Sequence, residues 1–330
     1  YPWELMTERS QPDKPLATRM GILRQFKTDD FRANPRPSRG RNVLVVGDTA
    51  NTGMVELTGA QDEARAVAKL LGEKGQFEVK EKVKARGVEI INELFAREYQ
   101  ILHIAAHGNY DGENPDQSGV VLDDGRYLTA KELVNLRTVP DLVFINCCHL
   151  GKVDKSTLPL TVSSPHRLAA SVAEELIKMG VKAVVAAGWA VDDAAALTFA
   201  EEFYRQMLKG ESFGQAVLQA RKETHKQHCS GGDGVNTWGA YQCYGNPNFR
   251  LNLGGAYGDS PSYYSRREYR DALKSLSSTA DLQSLRRNES QRQQLLGIEK
   301  ELRESAPTLL EDGEVLSDFG ESWLKLGNFD

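Results

Sequence analysis

Four apolar runs recur along the chain: NVLVVGD from Asn42, ILHIAAHG at 101–108, DLVFINCCHLG at 141–151 and KAVVAAGWAV at 182–191. Uninterrupted Val, Ile, Leu and Ala over this length mark strands buried on both faces, and such strands belong to parallel sheets covered by helices. The intervening segments supply the helices. ELTGAQDEARAVAKLLGEKG spaces Ala64, Val67, Ala68 and Leu71 on one face, and residues 87–99 do the same with Ile90, Ile91 and Leu94. Residues 166–179 turn Leu168, Val172, Leu176 and Ile177 inward, Asp192 and Asp193 cap a long helix through FAEEFYRQMLKG, and a further helix runs from about Ser212 to Lys226. FEVKEKV at 77–83 alternates as a half-buried strand, Asp124-Gly125 marks a hairpin, and Thr129 with Glu132 forms a capping box. A last strand pair is expected around WGAYQCYGNPNFRLN. The pattern predicts an α/β layer sandwich to about Leu253.

Residues 1–40 are polar and Pro-rich and read as an irregular lead-in wrapped on the domain, a linker from a missing N-terminal region, since the chain opens YPWELM without an initiator Met. Residues 41–254 form the α/β domain. Residues 255–330 shift to charged helical sequence and read as a C-terminal extension. The net charge of −5 is spread out and no basic stripe carries interleaved aromatics, which argues against direct nucleic-acid binding. No run approaches the roughly 20 apolar residues of a membrane span. Four cysteines are too few and too unevenly placed for a disulfide scaffold, which favours a reducing, cytoplasmic setting.

Two of the apolar runs break at a reactive side chain, the first at His107 and the second at Cys148. In open α/β sheets ligands bind beyond the carboxyl ends of the strands, and adjacent strands lie about 4.8 Å apart, so the two groups can cooperate. A neutral thiol is a weak nucleophile, whereas a thiolate beside an imidazole is a strong one; His107 is the candidate base for Cys148. Gly108 permits close backbone approach, so that its N–H and that of Cys148 can receive a tetrahedral oxyanion. The plain alternative is an inert buried cysteine and a histidine that merely ends its strand. His103, four residues before His107 on the same strand, reads as a core histidine, and His149 as a residue that could assist or gate. His225, His228, Cys229 and Cys243 lack a paired Cys-x-x-Cys knuckle and give only a weak zinc signal, so no metal or cofactor is expected. The aperiodic stretch 152–164 follows the thiol directly and is the candidate element that orders on activation.

In this order the motifs resemble those of the CHAT domain, a branch of the caspase-like clan of cysteine peptidases. PWEL at 2–5 resembles the family's opening Pro-Trp-Glu-Leu, ILHIAAHG its catalytic-His strand, and INCCHLG its Leu-Ser-Ala-Cys-Glu-Thr-Gly box, with Cys148 at the nucleophile position and Cys147 at the small buried one. GWAVDDAAALTFAEEFY and WGAYQCYGNPNFRL resemble the family's Trp-x-Val-x-Asp helix start and its closing Gly-Asp-Pro strand. His149, Leu150 and Asn246 depart from the usual Glu, Thr and Asp. The resemblance implies a caspase-like three-layer sandwich with a mostly parallel central sheet, plus the helical extension. It also implies an intracellular cysteine endopeptidase acting on a protein substrate and gated by a sensor or repeat module N-terminal to this segment or in a partner chain, with bacterial defence or programmed cell death as the analogous setting. The substrate pocket of such folds is built at positions that here hold Asp48, Asn146 and the segment from Trp189 to Asp193. Asp48, Asp192 and Asp193 would favour a basic substrate residue if they point inward; Asp192 and Asp193 could equally serve only as helix caps. The competing functions are a catalytically silent CHAT-fold scaffold and, more remotely, a thiol acyltransferase or esterase on the same dyad.

Overall fold

A computed structural model describes residues 2–26, 38, 41–50, 54–109, 111, 118–123, 126–136, 138–147, 165–229, 235–251, 266–279, 292, 295–300, 302–303 and 307–326. The chain divides into two compact units, Tyr1–Leu253 and Gly254–Asp330. Among the described residues no helix is long and apolar enough to cross a membrane.

In the first unit a short antiparallel hairpin, β1 (Thr7–Glu8) and β2 (Gln11–Pro15), precedes the main sheet. The sheet is built from β3 (Asn42–Thr49), β4 (Glu78–Ala85), β5 (Ile101–Ala105), β9 (Leu142–Asn146), β10 (Ala183–Ala187) and β11 (Tyr241–Gly245) in the order β11-β10-β9-β5-β3-β4. Its first five strands in the chain are parallel, and β11 runs antiparallel on the β10 edge. Helices α1 (Thr58–Gly72), α5 (Asp193–Leu208) and α6 (Phe213–His228) make one outer layer; α2 (Gly87–Ala96), α3 (Ala130–Val134) and α4 (Pro165–Met179) make the other. This is the α/β layer sandwich that the apolar runs predict, in the three-layer form with a mostly parallel sheet that the resemblance implies. Strand alternation divides the core between the two faces. Leu44, Leu102, Ile104, Val143 and Ile145 pack toward α2 and α4, while Phe144 meets Phe199, Phe203 and Tyr241 on the other side.

The hairpin around Asp124-Gly125 is present as β7 (Gly119–Asp123) and β8 (Arg126–Thr129), with Asp123 opposite Arg126; its two central residues lie outside the described ones. A third strand, β6 (Gly108–Asn109), joins them in a small antiparallel sheet that two residues of sequence do not announce. The expected last strand pair is a single strand. Residues 237–240 form the short helix α7 (Thr237–Ala240), and after β11 the chain turns at Gly245, with φ +120°, so that Asn246-Pro247-Asn248 closes a turn instead of starting another strand.

The lead-in residues 2–26 pack into this unit. Glu4, fully buried, makes a two-pronged ion pair with Arg24 at 2.9 Å on both oxygens. Arg24 in turn donates its N–H to the Cys243 carbonyl, and Arg221 of α6, also fully buried, donates to the carbonyls of Ile22 and Tyr241. Burial pushes the Cys243 thiol from 9.0 up to about 12, against the opposing pull of Arg221. The unfolded chain therefore loses this proton first as pH rises, so the associated stability is intact below pH about 9 and drains away toward pH about 12. By pH about 10.5 the loss is roughly 2 kcal/mol. Urea denaturation at pH 8 and 10.5 is expected to show that much less of a drop in Cys243→Ala than in the parent; equal drops would refute the assignment.

The second unit packs Tyr269 and Leu273 of α8 (Arg266–Thr279) with Leu295, Ile298 and Leu302, and with Val315 and Phe319 of α9 (Gly313–Lys325). Asp312 caps α9 through the backbone N–H groups of Glu314 and Val315 and pairs with Arg266 at 2.7 Å.

Candidate active site

The carboxyl ends of β3, β5, β9 and β10 lie along one edge of the sheet because these strands are parallel and adjacent. The β5–β9 ladder ends with Ala105 opposite Asn146, after which the Ala106 N–H donates to the Asn146 carbonyl at 3.1 Å. His107 is two residues beyond the last pair on one strand, and Cys148 is two residues beyond it on the other. Cys148 itself, with His149 and the 152–164 stretch, lies outside the described residues.

His107 is 5% exposed. Its Nε2 stands 2.7 Å from the backbone carbonyl of Val55, in the segment between β3 and α1. A carbonyl only accepts, so Nε2 must carry the hydrogen, and Nδ1 of the neutral ring is left as the basic lone pair. That Nδ1 is buried and has no hydrogen-bond partner among the described residues. The Val55 carbonyl escapes sequence reasoning because any residue type supplies one.

Gly108 follows directly. A Cβ on it would stand 2.4 Å from the Cys147 carbonyl oxygen and 2.8 Å from the Cys147 Cβ, so the backbones of the two strand ends touch and only glycine fits. Cys147 is 5% exposed and sits with Ile145 in the core toward α4. Asn146, on the opposite face, is fully buried and donates from Nδ2 to Glu63 of α1 at 2.7 Å.

Beneath the strand ends the Glu63 carboxylate also approaches His103 Nε2 at 3.3 Å, although the pair is off the line of a good hydrogen bond, and His103 Nδ1 meets the Tyr204 hydroxyl at 3.2 Å. Burial, with a smaller push from Glu63, raises the Tyr204 phenol well above its ordinary range. His103 is thus a fully buried, partnered core residue.

Asp48, at the end of β3, is buried, and its Oδ2 accepts from the Leu57 N–H at 3.2 Å and from Gln61 Nε2 at 3.1 Å. Asp192 is the N-cap of α5, accepting from the Ala195 N–H at 3.1 Å, while its own N–H donates to Thr237 Oγ1. The Asp193 side chain lies against Gly59 in the first turn of α1, where a Cβ would come within 2.3 Å of its Cγ. Both acids are half-buried. The pocket candidates Asp48, Asn146 and Asp192 therefore all make hydrogen bonds within the protein.

The residues behind the weak zinc signal are otherwise engaged: His228 meets Thr198, Cys229 donates to the Val235 carbonyl, His225 stacks edge-on against Trp238, and Cys243 is buried in β11. Among the described residues no three His, Cys, Asp or Glu side chains form a group that could hold a metal ion.

The family model of the CHAT domain matches residues 1–246. No curated protein matches the chain. Among solved structures the chain is similar to that of the Arg-specific cysteine proteinase gingipain R (RGPB), with 13% identity and a TM-score of 0.41. That similarity covers 66% of this chain and 48% of the gingipain chain, so it spans about half of that protein.

Proposed function

The chain belongs to the CHAT domain family, and on that premise we propose that it is a caspase-like cysteine endopeptidase with Cys148 as nucleophile and His107 as acid and base. The observation that carries this reading is the shared offset: both residues stand two positions past the last rung of the same parallel ladder, Ala105 opposite Asn146. The buried Nδ1 of His107 supports it, as does the placement of Cys147 in the core of the other face.

In this mechanism Nδ1 takes the Cys148 proton and the thiolate attacks the scissile carbonyl carbon. The backbone N–H groups of Gly108 and Cys148 receive the oxyanion. As the tetrahedral intermediate collapses, the imidazolium returns the proton to the leaving amine, and an acyl-enzyme remains on sulfur. His107 then draws a proton from water, which attacks the thioester and frees the acid and the thiol. A preference for a basic substrate residue would require Asp192 or Asp193 to turn an oxygen toward the substrate beyond the contacts they make on α5 and α1. Cys229 and Cys243 are free thiols, which supports a reducing compartment. A regulatory module that gates the site belongs to the same proposal.

The test is a tryptic-free peptide library made with an acid-specific protease, incubated with the protein and read by mass spectrometry. New cleavage sites are expected with the parent and not with Cys148→Ala. Sites that persist in Cys148→Ala, or a parent that cuts nothing although Cys148 alkylates readily, would favour the scaffold function instead.

A further inference from the structure

Among the described residues beside the Val55 carbonyl that faces His107, the first apolar side chain with any burial is the half-buried Leu57. Met54, Val55 and Glu56 are all exposed, Val55 to 72%. Side-chain burial at Met54, Val55 and Glu56 does not fix the carbonyl, and polar contacts flank it. Those contacts form one connected brace. Asp48 Oδ2 holds the Leu57 N–H and Gln61 Nε2; Gln61 Nε2 also donates to Glu56 Oε1 at 2.8 Å, and Lys84 Nζ reaches the same oxygen at 2.8 Å. Val55 is next to Glu56 and two residues from Leu57, so the brace grips the chain immediately beside the carbonyl.

The backbone at both anchors is unusual in the same way. Asp48 and Lys84 are the non-glycine residues with positive φ among those described, each at +51°. They sit opposite one another on neighbouring strands, between the pairs Gly47–Val83 and Thr49–Ala85. Aspartate tolerates this conformation through its short polar side chain, whereas lysine does not, so the strain at Lys84 persists because its surroundings impose it. The exposed Lys84–Glu56 pair contributes little by itself, whereas the buried Asp48 carboxylate on a backbone N–H is a charge-assisted bond. Asp48 is the dominant member.

We infer that Asp48 is a positioning residue: through Leu57 and Gln61 it holds the Val55 carbonyl against His107 Nε2 and so keeps the imidazole in the tautomer whose Nδ1 is the base. The catalytic consequence rests on the dyad proposed above; the tautomer does not. This assigns the Asp48 carboxylate to the enzyme's own loop rather than to the substrate.

The experiment uses the full chain with ¹⁵N-labelled histidine, and reads the His107 ring nitrogens by NMR alongside Cys148 alkylation by iodoacetamide at pH 7. The ring is read in the Cys148→Ala background, where no thiolate holds it as imidazolium, and there it is expected to show the Nε2–H form alone. Asp48→Gly suits the positive φ but removes the acceptor, and is expected to give mixed tautomers and a fall in alkylation of at most about threefold, the bound set at pH 7 by losing the imidazole altogether. Asp48→Asn keeps an acceptor oxygen and tolerates the same φ, and is expected to restore the single tautomer. An unchanged tautomer in Asp48→Gly, or an equal shift in Asp48→Asn, overturns the inference. If Asp48→Gly does not fold, Gln61→Met decides in the same way, because it removes two of the brace's bonds while preserving α1. A tautomer shift in a protein whose Cys148 is unreactive even in the parent would sink the dyad and leave the positioning role standing.

Discussion

In His107→Ala, iodoacetamide labelling of Cys148 is expected to lose its plateau near neutral pH and to rise instead with a midpoint of about 8.5, the value of a free thiol. At pH 6.5 such a thiol is about 1% thiolate, whereas one paired with an imidazolium and lowered by about two pH units is about half ionised. The gain in thiolate is partly offset, because nucleophilicity falls with basicity at a slope of about 0.4–0.5 per unit, or roughly eightfold here. The net difference in labelling rate at pH 6.5 is thus only about sixfold, and the displaced midpoint is the larger signal. Peptide cleavage should suffer more, by about 10²–10⁴-fold, because in the proposed mechanism the same imidazole also protonates the leaving amine. Cys243, fully buried with its thiol pushed up to about 12, serves as the unlabelled internal reference. Identical pH profiles in the two proteins would remove His107 from the mechanism.

The second large effect concerns the lead-in. Glu4→Ala is expected to destabilise the first unit by about 3–5 kcal/mol, the cost of breaking a buried ion pair from one side. The sign is clear because the carboxylate stands beside a basic region: Arg24 is its direct partner, and the fully buried Arg221 is bonded to the Ile22 carbonyl of the lead-in and to the Tyr241 carbonyl of β11. Burial works to weaken the Arg24 cation, and the hydrogen bonds and charge of Glu4 more than offset it, leaving Arg24 more basic than usual. Against a total stability of about 5–15 kcal/mol such a loss is visible in any urea titration. The double variant Glu4→Met with Arg24→Met removes both charges and should recover most of the loss. A cost below about 1 kcal/mol for Glu4→Ala, the value of a solvent-exposed pair, would contradict the burial seen here.

Glu4 also shows where sequence reading ran short. PWEL is legible as a motif, yet a charged residue in a polar, Pro-rich stretch gives no sign that it will be fully buried; its partner lies 20 residues away, and the carbonyls it helps to arrange belong to β11. The helix capped by Asp192 and the capping box at Thr129 were legible because capping is settled within three residues. The single closing strand was not, since Asn246-Pro247 can end a strand or join two, and only the antiparallel seat of β11 against β10 decides. Within the candidate site, the apolar runs located His107, Gly108 and the two cysteines, and the ladder register then put the ends of their strands side by side. Alternation assigned the two cysteines to different faces, and packing showed which face receives Cys147.

By itself the sequence determined the parallel strands of the main sheet, most helices, the layer architecture and the family, because periodicity, capping and motif order are written over short spans of chain. Only the tertiary structure decided that the Val55 carbonyl orients His107, that Asp48 holds the loop behind it, and that Glu63 ties Asn146, His103 and Tyr204 into one buried group. Those partners are separated by up to 141 residues, from Glu63 to Tyr204, and one of them is a backbone atom that every residue carries. Such contacts form only after the sheet has placed its strand ends together, so the physical information that specifies them lies in the packing of the layers and not in any local pattern.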